Sequence, residues 1–150
     1  MRNGACSKTG PRDRGGPTTS VRRRRTWRPL IDSDIQAGAV IAADGTIYAR
    51  SAYGVMYAFN PDGTIKWMRK LSRFEIASTP AIGGDGTIYF AGDSCGAIHA
   101  LNPDGTQKWT YVTNAYTRCA PAIGLGQRLY SGYLADPNFS NNGGLLAFGP

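Results

Sequence analysis

The chain has 150 residues and a formal net charge of +7, from 17 Lys and Arg against 10 Asp and Glu. This length is about that of one ordinary domain, and since no run of about 18 apolar residues occurs, no membrane span is predicted. The three cysteines are widely spaced and form no Cys-x-x-Cys pair, so neither a zinc site nor a disulfide-rich scaffold is indicated.

Residues 1–25 are predicted to form a basic disordered tail, because they are rich in Gly, Pro, Ser, Thr and Arg and nearly lack large apolar residues. The four arginines at 22–25 permit three interpretations: nucleic-acid contact, a nuclear address, or a twin-arginine export signal. Export would require an apolar stretch where TWRPLIDSD stands, and no basic, aromatic-interleaved face continues beyond the tail. A solvated leader is therefore favoured, and nucleic acid is a disfavoured partner.

One motif of eight residues occurs twice, as NPDGTIKW at 60–67 and as NPDGTQKW at 102–109. Other stretches repeat at nearly the same offset: DGTIY at 44–48 and 85–89, and PAIG at 80–83 and 121–124. A third copy continues to residue 148 after an insertion. A constant period of about 41 residues indicates a repeat architecture.

Each repeat divides into four short segments separated by Gly, Pro and Asp. In the second copy these segments are residues 79–83, 86–92, 97–102 and 107–113. Their richness in Ile, Tyr, Thr, Val and Phe predicts strands, and four such strands predict one antiparallel sheet per repeat. The stretch 64–79 also fits helical spacing, but its repeat partner at 106–120 is crowded with Thr, Tyr and Val, so both are predicted as strand plus connector.

The repeated motif combines a turn with a tryptophan. A type I turn with Gly at positive φ is predicted for two sets of four residues: Asn60, Pro61, Asp62 and Gly63, and Asn102, Pro103, Asp104 and Gly105. The Asn side chain is expected to accept a backbone hydrogen bond. Trp67 and Trp109 follow in the outermost strand, where packing against the next sheet is favoured over a ligand cage.

These repeats resemble the PQQ-like quinoprotein β-propeller repeat over about residues 26–150. The stretches 58–67 and 100–109 resemble that family's tryptophan docking motif, one residue shorter and with Asn where the dehydrogenase form has Asp. The resemblance implies an all-β fold, a partial β-propeller of four-stranded antiparallel blades. About two and three-quarter blades are expected, near residues 37–71, 78–113 and 119–150, plus one stray strand. Trp27 then resembles the docking tryptophan of a preceding blade.

A propeller closes with about four to eight blades, so this chain is expected to be an internal fragment of a larger protein. Its uncovered end faces should associate with missing blades or with copies of the chain. The resemblance implies an exported or cell-surface protein. A protein or carbohydrate ligand is also considered.

The family includes quinone-dependent dehydrogenases, an outer-membrane assembly lipoprotein and sensor domains, so the resemblance leaves the activity open. A dehydrogenase needs calcium held by oxygen ligands and a carboxylate base, and its alcohol-oxidising members are expected to carry adjacent cysteines. No adjacent cysteines occur, and the aspartates at 44, 62, 85 and 104 lie in predicted turns. The leading prediction is therefore a non-catalytic scaffold or binding module with no catalytic, cofactor or metal residue. The alternative is a fragment of a PQQ-dependent dehydrogenase with PQQ and calcium.

The loops after the second and fourth strands share one face of a propeller, which is where ligands usually bind. The side chains predicted there are Arg50, Tyr53, Arg73, Glu75, Asp93, Tyr116, Arg118 and Tyr133. Solvated loops are the competing interpretation. Cys95 and Cys119 lie on the same face and could pair under oxidising conditions. His99 is expected to be a core or groove residue.

Overall fold

The computed structural model describes residues 27–31, 34–71, 78–92, 96–113, 115–117, 119–134 and 143–149. The predicted tail, residues 1–25, lies outside these ranges. Within them, no helix is both long enough and apolar enough to cross a membrane.

Eleven strands and one short 3-10 turn, Leu125–Gln127, make up the regular structure of the described residues. The strands are β1 Val40–Ile41, β2 Ile47–Arg50, β3 Val55–Phe59, β4 Ile65–Lys70, β5 Ala81–Ile82, β6 Ile88–Ala91, β7 Ala97–Leu101, β8 Gln107–Val112, β9 Ala122–Ile123, β10 Leu129–Tyr133 and β11 Gly144–Phe148. They form three antiparallel sheets in which neighbours in sequence pair: a first sheet of β1 to β4, a second of β5 to β8 and a third of β9 to β11.

The first two sheets repeat each other in register. β3 and β4 pair Ala58 with Trp67, and β7 and β8 pair Ala100 with Trp109. A bulge follows each of these alanines at the same position of the strand. The stretch 65–70, which also fitted a helix, is strand β4, as predicted. Its continuation at 72–77 lies outside the described residues.

The sheets stack face to face, and the apolar core lies between them. The face of each sheet that points in the direction from the first sheet to the third is called the forward face, and the opposite face is called the rear face. The buried clusters lie between the first and second sheets (Tyr48, Met56, Ala58, Ile88, Phe90 and Leu101), between the second and third (Tyr89, Ala91, Ile98, Ala100 and Leu129), and on the rear face of the first (Ala49, Val55, Tyr57 and Phe59). Such stacking is expected of successive propeller blades.

The third sheet departs from the other two. Where the earlier copies have DGT, it has the 3-10 turn, and Gln127 there adopts a φ of 59° at the position equivalent to Gly86. Its three strands leave β11 as an edge within the described part of the chain.

Candidate binding surface and docking turns

The two NPDG turns have nearly identical geometry. In the first, the Gly63 N–H donates to the Asn60 carbonyl at 2.8 Å, and the Thr64 N–H donates to Asp62 Oδ1 at 2.9 Å. The glycines Gly63 and Gly105 have φ values of 88° and 83°, as a residue leaving a type I turn into a bulge requires. Glycine is needed there because a side chain disfavours this conformation.

The Asn60 side chain differs from its predicted role. Its Nδ2 donates to Thr64 Oγ1 at 2.9 Å, whereas the Asp62 carboxylate accepts from the Thr64 backbone. The Thr64 hydroxyl donates to Asp62, which leaves its oxygen free to accept from the amide. Asn102, Asp104 and Thr106 repeat these bonds in the second sheet.

Each NPDG turn is contacted by a tryptophan that lies about one repeat earlier in the chain. The Trp67 indole N–H donates to the Pro103 carbonyl at 2.9 Å, and its ring lies against Gly105. Trp27 makes the equivalent bond to the Pro61 carbonyl at 3.2 Å, and its ring centroid is 6.1 Å from that of Phe59. Successive repeats are therefore joined by a contact between an outer strand and the following turn.

The lysine of the motif has a partner that the sequence analysis missed. Lys66 Nζ lies 3.3 Å from Asp44 Oδ2, and Lys108 Nζ lies 2.9 Å from Asp85 Oδ2. The hydroxyl of Thr87, the Lys108 ammonium and the Thr87 backbone N–H lower the pKa of Asp85 to about 2. The signal in the sequence was the recurrence of Asp-Gly-Thr together with a lysine in both copies.

Three of the residues predicted to form a ligand face lie at the ends of the strands opposite the tight turns. Tyr53 lies in the loop after β2 and is 60% exposed, and Tyr116 follows β8 and is 37% exposed. Tyr133, at the end of β10, is half-buried. Several predicted members lie outside the described residues: Arg73, Glu75, Asp93 and Arg118. The surface formed by Tyr53, Tyr116 and Tyr133 is called the loop edge below.

Arg50 does not present its side chain at that edge. It is 1% exposed, and its guanidinium carbon lies 4.6 Å from the centroid of the Phe90 ring. His99 stacks on Phe90 at 5.0 Å, and its Nδ1 is 3.0 Å from Thr110 Oγ1. Arg50 and His99 therefore pack in the interface between the first and second sheets, where a cation over an aromatic ring is favourable.

A cavity of about 600 Å³ lies on the rear face of the first sheet. It is lined by the segment 27–31 on one side and by Ile47, Ala49 and Phe59 on the other. The lining is mainly apolar, with Arg28 and Asp34 as its charged members.

No group of three metal-ligating side chains occurs among the residues that the structure describes. Cys119 is exposed, whereas Cys95 lies outside those residues, so their pairing stays a prediction.

Comparison with known proteins identifies relatives of this arrangement. A family model described as outer membrane protein assembly factor BamB matches residues 18–148. Over 32 residues, or 21% of the chain, the sequence is 62% identical to the uncharacterized protein YxaL of Bacillus subtilis (strain 168), and this match covers 8% of that relative.

Two solved structures share the fold. BamB from Moraxella catarrhalis superposes with a TM-score of 0.64 at 22% identity, covering 82% of this chain and 36% of that one. BBS1N, from its complex with ARL6DN, superposes with a TM-score of 0.56 at 17% identity, covering 69% and 32%. The chain thus spans about a third of the length of these structures. Their likeness confirms the predicted partial propeller of antiparallel sheets.

Proposed function

Because the chain belongs to the family of the outer membrane protein assembly factor BamB, we propose that it acts as a non-catalytic β-propeller segment, a scaffold or binding module within a larger exported or cell-surface protein. The docking residues Trp27, Trp67 and Trp109, with the two NPDG turns, hold successive blades together. The loop edge binds the partner.

The proposal is carried by a difference between the residues at the two ends of the strands. At the end that holds the tight turns, the carboxylates accept hydrogen bonds that close their own turns: Asp44, Asp62, Asp85 and Asp104. At the loop edge, Tyr53 and Tyr116 are exposed. Aromatic side chains on a rigid scaffold are suitable anchors for a protein partner.

The relatives support a protein partner at the cell envelope. The family's description names an assembly factor of the outer membrane. The BBS1N structure was obtained as a complex with another protein, ARL6DN. We therefore favour an exported location and a protein segment as the ligand, and a carbohydrate ligand is an outcome of the test below.

The binding role can be tested with a displayed peptide library and a glycan array. Peptides selected by the chain should bind about tenfold more weakly to a Tyr53→Ala, Tyr116→Ala double variant, because the anchors are lost. Leu125→Ala, which truncates a 98% exposed side chain away from this edge, is the matched control and should bind normally. Peptides that bind the double variant as tightly as the original chain would refute the loop edge as the site. Selective binding to a glycan would show instead that the ligand is a carbohydrate.

The non-catalytic role has a separate test. The chain should give no heat of binding when PQQ is titrated with calcium present, because the turn carboxylates are engaged in holding their turns. Calcium-dependent binding of PQQ would favour the dehydrogenase alternative instead.

A further inference from the structure

The outer strand of the second sheet has an open edge. β8 is the last strand of its sheet, and within the described part of the chain only β7 pairs with it. The Thr113 N–H donates to the Gly96 carbonyl at 2.6 Å, so the next pair, Ala97 and Val112, exchanges no backbone hydrogen bonds. The N–H and carbonyl of Val112 therefore point away from β7, and those of Thr110 do too, because the direction alternates along a strand. These groups form a row of donors and acceptors with which another extended chain can pair.

This edge stays open when further sheets are stacked on those described. Successive blades pack through their faces, and their outermost strands line the rim of the propeller. The first and third sheets already cover the two faces of the second sheet, and among the described residues they leave the outward side of β8 unpaired. The edge is therefore available in a larger protein as well as in this chain.

The equivalent edge of the first sheet is protected by charge, whereas that of the second is not. At their last two positions, β4 has Arg69 and Lys70, and β8 has Tyr111 and Val112. The side chains of Tyr111 and Val112 are both exposed. Charged side chains, especially Lys, keep edge strands from pairing with other chains. Of the two edges, β8 is therefore the one suited to accept a further strand.

The side chains of β8 define what the added strand should carry. Trp109 and Tyr111 lie on the forward face, where their ring centroids are 5.8 and 5.1 Å from that of Phe148. Thr110 and Val112 lie on the rear face, because side chains alternate along a strand. Aromatic and β-branched residues pair favourably with residues of the same two kinds on a neighbouring strand. The partner segment is therefore expected to be extended, uncharged and rich in Val, Ile, Thr or aromatic residues.

The open edge of β8 leads toward the loop edge. The Ala115 N–H donates to the Thr113 hydroxyl at 3.1 Å, and the Leu134 N–H donates to the Tyr116 carbonyl at 2.8 Å. These bonds hold the connection between the end of β8 and Tyr116. One extended segment can therefore contact Tyr116 and continue along β8.

We propose that the protein segment bound at the loop edge continues as a fifth strand of the second sheet, paired with β8 through the backbone of Thr110 and Val112. This inference rests on the proposed function for the identity of the ligand, a protein segment, and adds its mode of binding. Main-chain hydrogen bonds supply the affinity, and the side chains beside Tyr111 and Val112 supply the specificity.

Proline at position 112 tests the backbone pairing. Peptides selected from the displayed library should bind Val112→Pro about tenfold more weakly by fluorescence anisotropy, because proline lacks the outward N–H and leaves an acceptor of the peptide unpaired. Val112→Ala keeps this N–H and should lose less than about threefold. Lys70→Pro makes the same backbone change at the equivalent position of β4, and this matched control should bind normally. Equal losses for Val112→Ala and Val112→Pro, or no loss for Val112→Pro, would overturn the added strand.

The result can be separated from that of the loop-edge test. Weaker binding by the Tyr53→Ala, Tyr116→Ala double variant, with full binding by Val112→Pro, would refute the added strand and leave the loop edge standing. The reverse pattern would refute the loop edge and retain the added strand. A chain that dimerises, with the dimer lost in Val112→Pro, would also overturn the proposal, because the occupant of the edge would be a second copy.

Peptides methylated on alternate backbone nitrogens test the pairing on the unaltered chain. Only one edge of an added strand faces β8, so only every second N–H of the peptide is used. Of two versions of a selected peptide, methylated at its odd or at its even residues, one should lose about tenfold or more in affinity and the other should bind normally. Equal binding, or an equal loss, for the two versions would exclude an added strand.

Discussion

The second and third sheets carry equivalent residues in different surroundings. Ile98 and Leu145 occupy the same place on their strands, yet Ile98 is fully buried and Leu145 is 69% exposed. The first sheet covers the rear face of the second, and the third covers its forward face, whereas only the rear face of the third sheet is covered in the described chain. Burial in a repeat protein is therefore conferred by the neighbouring repeat as much as by the residue itself.

The turn between the first two strands also has fewer supporting contacts in the third sheet than in the second. The Gly83 N–H donates to the Thr87 carbonyl at 2.8 Å, and the equivalent bond from Gly124 to Arg128 has the same length. Only the second sheet adds the Asp85 carboxylate, with its bonds to Thr87 and Lys108. The backbone path is thus retained in the third sheet without the polar network that supports it in the second.

The largest expected effect contrasts the two equivalent side chains. Ile98→Ala should lower the free energy of unfolding by about 2–5 kcal/mol, because it leaves a cavity between two sheets. Leu145→Ala should change it by less than about 0.5 kcal/mol when measured at a concentration where the chain is monomeric. Urea unfolding followed by tryptophan fluorescence measures both. A similar large loss for both variants would show that Leu145 is covered within its own chain.

The second expected effect contrasts two glycines at positive φ. A Cβ on Gly105 would lie 2.9 Å from the Trp67 ring, whereas one on Gly126 would meet no atom within 4 Å. Gly126→Ala should therefore cost only the backbone term of about 1–2 kcal/mol, and Gly105→Ala should cost about 2–4 kcal/mol because the docked tryptophan must also move. Both are measured by urea unfolding.

A variant of the tryptophan separates the two contributions at Gly105. In a Trp67→Ala background, the loss caused by Gly105→Ala should fall to that of Gly126→Ala. An unchanged loss would mean that the ring contact contributes nothing.

The sequence was sufficient to predict the strands and their sheets because their signals are local. Turn residues fix the ends of each strand, and strand β4 was separated from a helix by comparison with its repeat partner β8. The 3-10 turn at Leu125–Gln127 was not predicted, because the third copy lacks the Asp-Gly-Thr signal there. A repeat motif predicts only those copies that retain it.

The loop edge was harder to predict because it depends on side-chain direction and on neighbours. Arg50 ends a strand next to that edge, but it lies on the same strand face as Tyr48 and is buried against Phe90 of the next sheet. Side chains alternate between the two faces of a strand, so the spacing of Arg50 two residues after Tyr48 in β2 was the available signal that both lie on the same face. Tyr53 and Tyr116 lie in loops, where the sequence gives a position but no fixed neighbour.

The smallest expected effect concerns the carboxylate that the third sheet lacks. The pKa of Asp85 is lowered from 3.8 to about 2, mainly by its bonds to the Thr87 hydroxyl and the Lys108 ammonium. A carboxyl group whose pKa is lowered on folding stabilises the folded state at pH values above its ordinary pKa of 3.8. This stabilisation is lost as the pH falls from 3.8 through about 2. Asp85→Asn should therefore flatten the dependence of the urea midpoint on pH in that window.

Some slope should remain, because the pKa values of Asp44, Asp62 and Asp104 are also lowered by hydrogen bonds from their own turns. Lys108→Met, which keeps the Thr87 bonds, should flatten it less than Asp85→Asn. Identical slopes for the original chain and Asp85→Asn would show that the second sheet gains nothing from the network that distinguishes it from the third.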